Sequence, residues 1–500
     1  MVDGITRRHF HHFLAAGAAT AALAPGIKPA MALETAKIIW TFDNPHLTGN
    51  FAPIGPEIDA TDLPVSAGRI PPDLSGAYMR NGPNPLYKPN AFTYPMDGDG
   101  MVHAVYFDNG RARYRNRFVQ TPSLAAERRA GRAIYGSFAH PMQIDPKLLH
   151  PGDPQGPFKN GAFINIIQHG GHLLALNEST TGFEITRDLD TIDEWKAGTD
   201  KPLRLGAHNR RHPKTGALFA INYSHAEPTV QIHQIDASGT LVNSFPVALA
   251  APTMIHDFVL TERYIVLLVC PAVFDSAAAQ QGQSFLQWRP AMGTRIGLIA
   301  LDGSTTRWLD ADPFFVFHFA NAFERGGNIF IDYVKHESLA LGYAQQTQKS
   351  PTLHRMMIDL ATAKVGDAQV AGMVTEFPRV NDALDSLPTR FVYLPTLTDT
   401  LLLSKPPSAT FNTMMKVNAE TGDVVRHDFG NKIAGEAVFI PRGTNGEDDG
   451  YLAVYAFDQE QQTSDLVLLD AARVDADPVA VIRLPQRVPQ GLHGNWIPKN

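Results

Sequence analysis

The chain has 500 residues, 43 basic against 50 acidic, for a net charge of -7, and a single cysteine. That net charge argues against a nucleic-acid partner, which usually demands a basic face. One cysteine excludes internal disulfides and any cysteine-based metal cluster, and Cys270, inside an apolar run, reads as a buried core thiol.

The first 32 residues have the layout of an export signal. Thr6-Arg7-Arg8-His9-Phe10 precedes an alanine-rich apolar run, and Ala30-Met31-Ala32 supplies small residues for cleavage. Paired arginines favour the twin-arginine route and a periplasmic destination. Residues 33–500 then form one domain, with no linker and no uninterrupted apolar stretch of spanning length.

Residues 33–90, rich in proline and glycine, read as an extended arm around a body. From about residue 96 the pattern is strand, turn, strand. Val102 to Phe107 leads through Asp108-Asn109-Gly110 into Arg111 to Val119, and Asn-Gly between alternating runs signals a hairpin. Short helices are predicted over 123–134, 275–284 and 337–347. Further strand pairs are predicted at 162–168 with 172–177, 216–223 with 229–235, 254–260 with 263–269, 295–301 with 305–309, and 314–321 with 328–334. They continue at 353–360 with 364–370, 391–395 with 399–404, 413–418 with 422–428, 436–441 with 450–457, and 465–471 with 478–484. So many short strands make an all-β body, and radial closure into a propeller removes its edges. At roughly 60–65 residues per blade, the length fits about seven blades.

Four histidines stand at strand ends or in turns: His208, His256, His318 and His493. Any one alone is more often a structural histidine. A propeller brings such dispersed positions to one axis, where imidazoles suit zinc, copper, iron or nickel. His208 and His212 are spaced H-x-x-x-H, but Pro213 and the Thr215-Gly216 turn argue against a helix, so His212 is expected to be exposed. Glu178, Glu376 and Glu436 sit in strand contexts where a carboxylate needs a partner, and are candidates to accept from the distal N–H of ligating imidazoles. No H-E-x-x-H, G-x-S-x-G or Walker loop is present.

Several motifs in order resemble the carotenoid cleavage oxygenases, a family that includes lignostilbene dioxygenases. They are Arg80-Asn81-Gly82-Pro83-Asn84-Pro85, Asp97-Gly98-Asp99-Gly100-Met101-Val102-His103, Met254-Ile255-His256-Asp257-Phe258, Phe317 to Glu324, Glu376-Phe377-Pro378-Arg379 and Gly491-Leu492-His493-Gly494. The resemblance implies a seven-bladed β-propeller capped by a dome of loops and short helices. It implies one Fe(II) held by His208, His256, His318 and His493, with Glu178, Glu376 and Glu436 behind His256, His318 and His493 respectively. Two cis positions would remain for dioxygen or water. The implied reaction is oxidative cleavage of one C=C bond of an apolar alkene by O2, giving two carbonyl compounds.

Candidates for the substrate and oxygen pocket are Ile164, Tyr94, Ser123 and Phe319. This chain departs from the family pattern at three places. Asn209 follows His208 where proline is usual, Ile164 replaces a threonine, and Ser123 stands where the stilbene-cleaving branch has a lysine. The last, with Phe92 or Thr93 falling where that branch has a tyrosine and Tyr94 close by, favours a carotenoid or apocarotenoid over a phenolic stilbene or phenylpropanoid alkene, while Ile164 removes a hydroxyl beside the oxygen site. Binding or isomerisation of a polyene without cleavage is the reading from a different class. Family members on apolar substrates tend to dock on membranes, for which residues 271–290 and Leu339-Ala340-Leu341 are the candidates, with ordinary packing of insertions as the alternative.

Overall fold

The computed structural model describes residues 44–157, 159–339, 341, 351–398, 410–443 and 446–499. The export signal, most of the helix predicted over 337–347 and the strand predicted at 399–404 lie outside these residues.

Seven sheets stand around an axis, each antiparallel throughout, and their inner strands pack on one another around the ring. Blade one runs inward from Asp59–Ala60 through Arg111–Phe118, Met101–Asp108 and Gly76–Arg80 to Gly494–Pro498. Blades two to five begin on the axis with Asn165–His169, Asn209–Arg211, Val259–Leu260 and Phe319–Arg325. Blade six contains Phe391–Thr396, Thr413–Asn418 and Val424–Asp428, with Thr375 and Arg379 bridged to its inner edge. Blade seven runs from Lys432–Pro441 outward to Val65–Gly68.

Local sequence explains the hairpins. Asn109 and Gly110 have φ of 50° and 72°, the paired positive values that a tight two-residue hairpin needs. In Arg111–Phe118, Ala112, Tyr114, Asn116 and Phe118 face inward while the four arginines face out or to the rim. That alternation fixes the register, since a one-residue slip would bury the arginines.

Both chain ends close the ring. Gly494–Pro498 pairs with Gly76–Arg80, placing Trp496 opposite Tyr78, and Val65–Gly68 pairs with Ala480–Arg483. The segment expected as a wrapping arm therefore supplies strands to blades one and seven. A second correction concerns Phe391–Thr396, whose partner is Thr413–Asn418. The sequence pairs 391–395 with 399–404, a segment outside the described residues, and the strand found beside Phe391–Thr396 is the one expected to open the next hairpin.

The predicted helices are shorter than their patterns. Pro122–Ala130 starts at Thr121, whose hydroxyl accepts from Leu124 N, and stops at Gly131 in the left-handed region. Ser276–Gln280 starts at Asp275, which accepts from Ala278 N. These insertions pack on the strand ends near the axis: Trp288 meets Phe315 edge-on at 6.5 Å, and Phe138 meets Phe274 at 5.9 Å.

Candidate metal centre

His208, His318 and His493 each immediately precede the inner strand of a blade, and His256 lies just ahead of Val259–Leu260. This one position, repeated on four blades, points four imidazoles at a common centre. Their ligand nitrogens all lie within 4.8 Å of one another. The Nε2 atoms of His208 and His256 are 3.1 Å apart, those of His256 and His318 3.3 Å, and those of His318 and His493 3.0 Å.

The back of the ring fixes the tautomers. His256 Nδ1 is 2.7 Å from Glu178 Oε2, and His493 Nδ1 is 2.8 Å from Glu436 Oε1. His318 Nδ1 makes a short contact with Glu376 Oε2. A carboxylate only accepts, so each of these Nδ1 atoms carries the proton and each Nε2 presents a lone pair. Lone pairs converging at 3.0–3.3 Å repel unless a cation lies between them. Two ligands at right angles, each about 2.1 Å from a metal, are about 3.0 Å apart. The donor set thus fits a metal ion, and the three carboxylates offset the charge that neutral imidazoles leave uncompensated.

Burial lowers the affinity of His208 for a proton well below the ordinary value, and the three neighbouring imidazoles lower it further. Burial also lowers that of His318, against the pull of Glu376. At His256 burial opposes protonation, but Glu178 outweighs it and the value rises. Burial pushes Glu436 up, yet Arg379 and His493 bring it down to about 2. Two of the glutamates are followed by a non-glycine residue of positive φ, Ser179 at 45° and Phe377 at 52°. Such backbone is costly and clusters at functional sites. Here it lets Phe377 N donate to Glu376 Oε2 at 2.6 Å while its ring lies 5.2 Å from His318 and 5.5 Å from His493.

Ile164 precedes the inner strand of blade two, the position that carries histidine on four other blades. It is buried in an apolar cluster with Tyr94, Phe163 and Phe377, and its carbonyl accepts from His493 N at 3.0 Å. Tyr94 is buried against His46, its ring stacked at 4.6 Å, and its hydroxyl has no partner among the described residues. It lines a cavity of about 500 Å³ with Asn44, Thr93, His140, Gln287 and Trp288. Ser123 is buried on the helix Pro122–Ala130 and lines neither the dome cavity beside Tyr94 nor the axial cavity at the histidines. Phe319 lines a separate axial cavity of about 330 Å³ that reaches His208, His318 and His493 from the strand side.

His212 is buried, not exposed. Its Nδ1 accepts from Thr215 N and its Nε2 reaches Glu262 O at 3.1 Å, so it braces the turn instead of joining His208. In the 271–290 insertion, Phe274 and Leu286 are buried and Trp288 lines the dome cavity, as do Leu339 and Leu341 from the other candidate segment. No helix among the described residues is long and apolar enough to cross a membrane. Sequence reasoning missed Arg210, which pairs with Asp257 at 2.7 Å while Asp257 also accepts from Phe258 N and Phe319 N. It missed His336 as well, which reaches Glu376 Oε1 at 2.7 Å. The signal was a polar residue ending an apolar strand, Tyr333-Val334-Lys335-His336.

A seven-bladed propeller with a four-histidine, three-carboxylate centre on its axis defines a class of metal-dependent oxygenases. The family model described as RPE65, retinal pigment epithelial membrane protein, matches residues 51–498. The carotenoid cleavage oxygenase of Mycobacterium tuberculosis is 32% identical over 512 aligned positions, covering 91% of this chain and 98% of its own. Isoeugenol monooxygenase of Pseudomonas nitroreducens is 28% identical, covering 91% and 98%. The crystal structure of Pseudomonas brassicacearum lignostilbene dioxygenase superposes with a TM-score of 0.84 at 26% identity, covering 92% of this chain and 100% of that one. The chain belongs to the RPE65/carotenoid cleavage oxygenase family and is a carotenoid cleavage-type oxygenase with a four-histidine metal site.

Proposed function

We propose that the chain is a non-haem Fe(II) dioxygenase that cleaves one C=C bond of a carotenoid or apocarotenoid. The observation that carries the metal chemistry is the convergence of four Nε2 atoms with carboxylates behind three of them. The overall reaction, R–CH=CH–R′ + O2 → R–CHO + R′–CHO, places both oxygen atoms in the products and needs no external reductant. A bound ferrous ion supplies the redox chemistry that dioxygen requires. The protein holds the imidazoles in one tautomer, offsets the charge, and keeps water away with Phe317, Phe377 and Ile164. Ser123, in place of a phenol-binding lysine, favours an apolar polyene. Mass spectrometry of products formed by the iron-loaded protein from polyenes and stilbenes under 18O2 tests this. The expected result is a pair of carbonyl products from a polyene, each with one heavy oxygen; cleavage of neither class overturns it.

One observation favours a second reading, a phenylpropanoid alkene. The Tyr94 hydroxyl is buried without a partner among the described residues, and Tyr94 lines a cavity together with Asn44, Thr93 and Gln287. Isoeugenol monooxygenase and lignostilbene dioxygenase are among the relatives. Faster turnover of isoeugenol or a hydroxystilbene than of any polyene in the same screen would establish it.

We also propose export to the periplasm, supported by Arg7-Arg8 and Ala30-Met31-Ala32. Fractionation of cells expressing the chain with and without residues 1–32 is the test; equal distribution overturns it.

A further inference from the structure

The three glutamates behind the imidazoles keep different company. Glu436 meets Arg379 Nη1 at 3.4 Å and accepts from Gly494 N at 3.0 Å. Glu376 alone among them serves two histidines: Oε2 takes His318 Nδ1 and Oε1 takes His336 Nε2 at 2.7 Å. His336 is held before it makes that contact. It follows the strand Asn328–Lys335, and its backbone exchanges both hydrogen bonds with Phe315, at 2.9 and 3.0 Å. Its ring stands edge-on to Phe317 at 5.3 Å, and Phe317 stands edge-on to His256 at 5.5 Å. A buried imidazole so fixed presents one nitrogen to Glu376. Because an ionised carboxylate oxygen only accepts, that nitrogen is the protonated one.

We infer that His336 is a positioning residue for the metal, acting on His318 through Glu376. Its Nε2–H fixes the plane of the carboxylate and draws off part of the charge that would otherwise fall on His318 Nδ1–H. It thereby sets both the orientation of His318 and how strongly that imidazole donates to the ion. Loss of the donor leaves Glu376 held through Oε2 alone, by His318 Nδ1 and Phe377 N, and leaves Oε1 buried and unsatisfied. His318 is then held less well, and its more basic carboxylate makes it a more anionic ligand.

The inference rests on the four histidines holding a metal and is independent of the substrate. The test compares Fe(II) affinity, by chelator competition, and the Fe(III)/Fe(II) midpoint potential in wild type, His336→Phe and His336→Gln. His336→Phe is expected to bind Fe(II) about 10–100-fold more weakly and to shift to a lower potential. His336→Gln, whose amide can donate to Oε1, is expected to recover most of both. Wild-type affinity or an unshifted potential in folded His336→Phe overturns the inference, and so does His336→Gln behaving like His336→Phe. Wild-type protein that takes up no iron would instead sink the metal-site reading itself. Nitrogen-15 imidazole NMR of the zinc-loaded wild type needs no variant: His336 is expected to carry its proton on Nε2, and an unprotonated Nε2 overturns the inference.

Discussion

The axial ring and the dome cavity are built by opposite rules. On the ring, functional side chains hang from strand ends, and most of their polar atoms are matched, Glu178 Oε1 being the exception among the three glutamates. Asp257 alone takes Phe258 N, Phe319 N and the Arg210 guanidinium. In the dome, segments from four parts of the chain, around Asn44, Thr93, His140 and Gln287, line a cavity, and the Tyr94 hydroxyl is left without a partner among the described residues. A fixed constellation held on a sheet suits a reaction that does not change, while a loosely matched loop cavity suits a substrate that does. The largest expected effect attacks the ring. His256→Ala or His318→Ala should abolish turnover and iron content together, as should stripping the metal with a chelator. His212→Ala, at the far end of the strand Asn209–Arg211 from His208, should keep its iron and lose only stability, on the order of 1–2 kcal/mol. Iron per chain by elemental analysis, beside thermal melting, separates the two. Full iron in His256→Ala would break the contrast.

Next come the carboxylates. Glu178→Gln, Glu376→Gln and Glu436→Gln should each weaken metal binding about 10–100-fold, because an amide oxygen still accepts from Nδ1 but carries no charge. Glu436→Gln should also melt lowest of the three, since it leaves Arg379 short of one buried anion. Equal affinity in all three variants and wild type would show that the ring holds its ion without charge compensation.

The same division decides what could be read from the sequence. Hairpins were legible because their turns and alternation are local, as in Arg111–Phe118. The inner strands were not: Asn209–Arg211 and Val259–Leu260 are too short to show a period. Nor was the closure, which joins Gly76–Arg80 to Gly494–Pro498 across nearly the whole chain. The metal ligands were found only as an ordered set of motifs, because no short spacing links histidines that different blades bring together. His336 escaped because its partner, Glu376, lies in another blade.

A smaller effect belongs to the dome frame. Asp97 holds two loops at once, accepting from Thr93 N and Phe138 N at 2.7 Å each. Burial pushes its carboxyl from 3.8 up to about 7, against those two donors. Between these values the folded chain keeps a proton that the unfolded chain has released, so this group's contribution to stability falls as pH rises through that window. Thermal midpoints from pH 5 to 8 should therefore decline more steeply in wild type than in Asp97→Ala, which has no such carboxyl. Parallel slopes would remove Asp97 as the source.

The smallest effect tests whether the cavity has a polar end. Tyr94→Phe removes one hydroxyl whose bond to a phenolic substrate would be worth about 1 kcal/mol, or roughly fivefold in kcat/KM. A polyene makes no such bond and should be turned over as before, while the stacked His46 and the edge-on Phe51 keep the ring in place. A loss confined to phenolic alkenes would assign Tyr94 to the phenylpropanoid reading. An equal loss on both classes would mean that the hydroxyl supports the cavity wall and reads no substrate group, and no loss on either would place the substrate's polar end elsewhere.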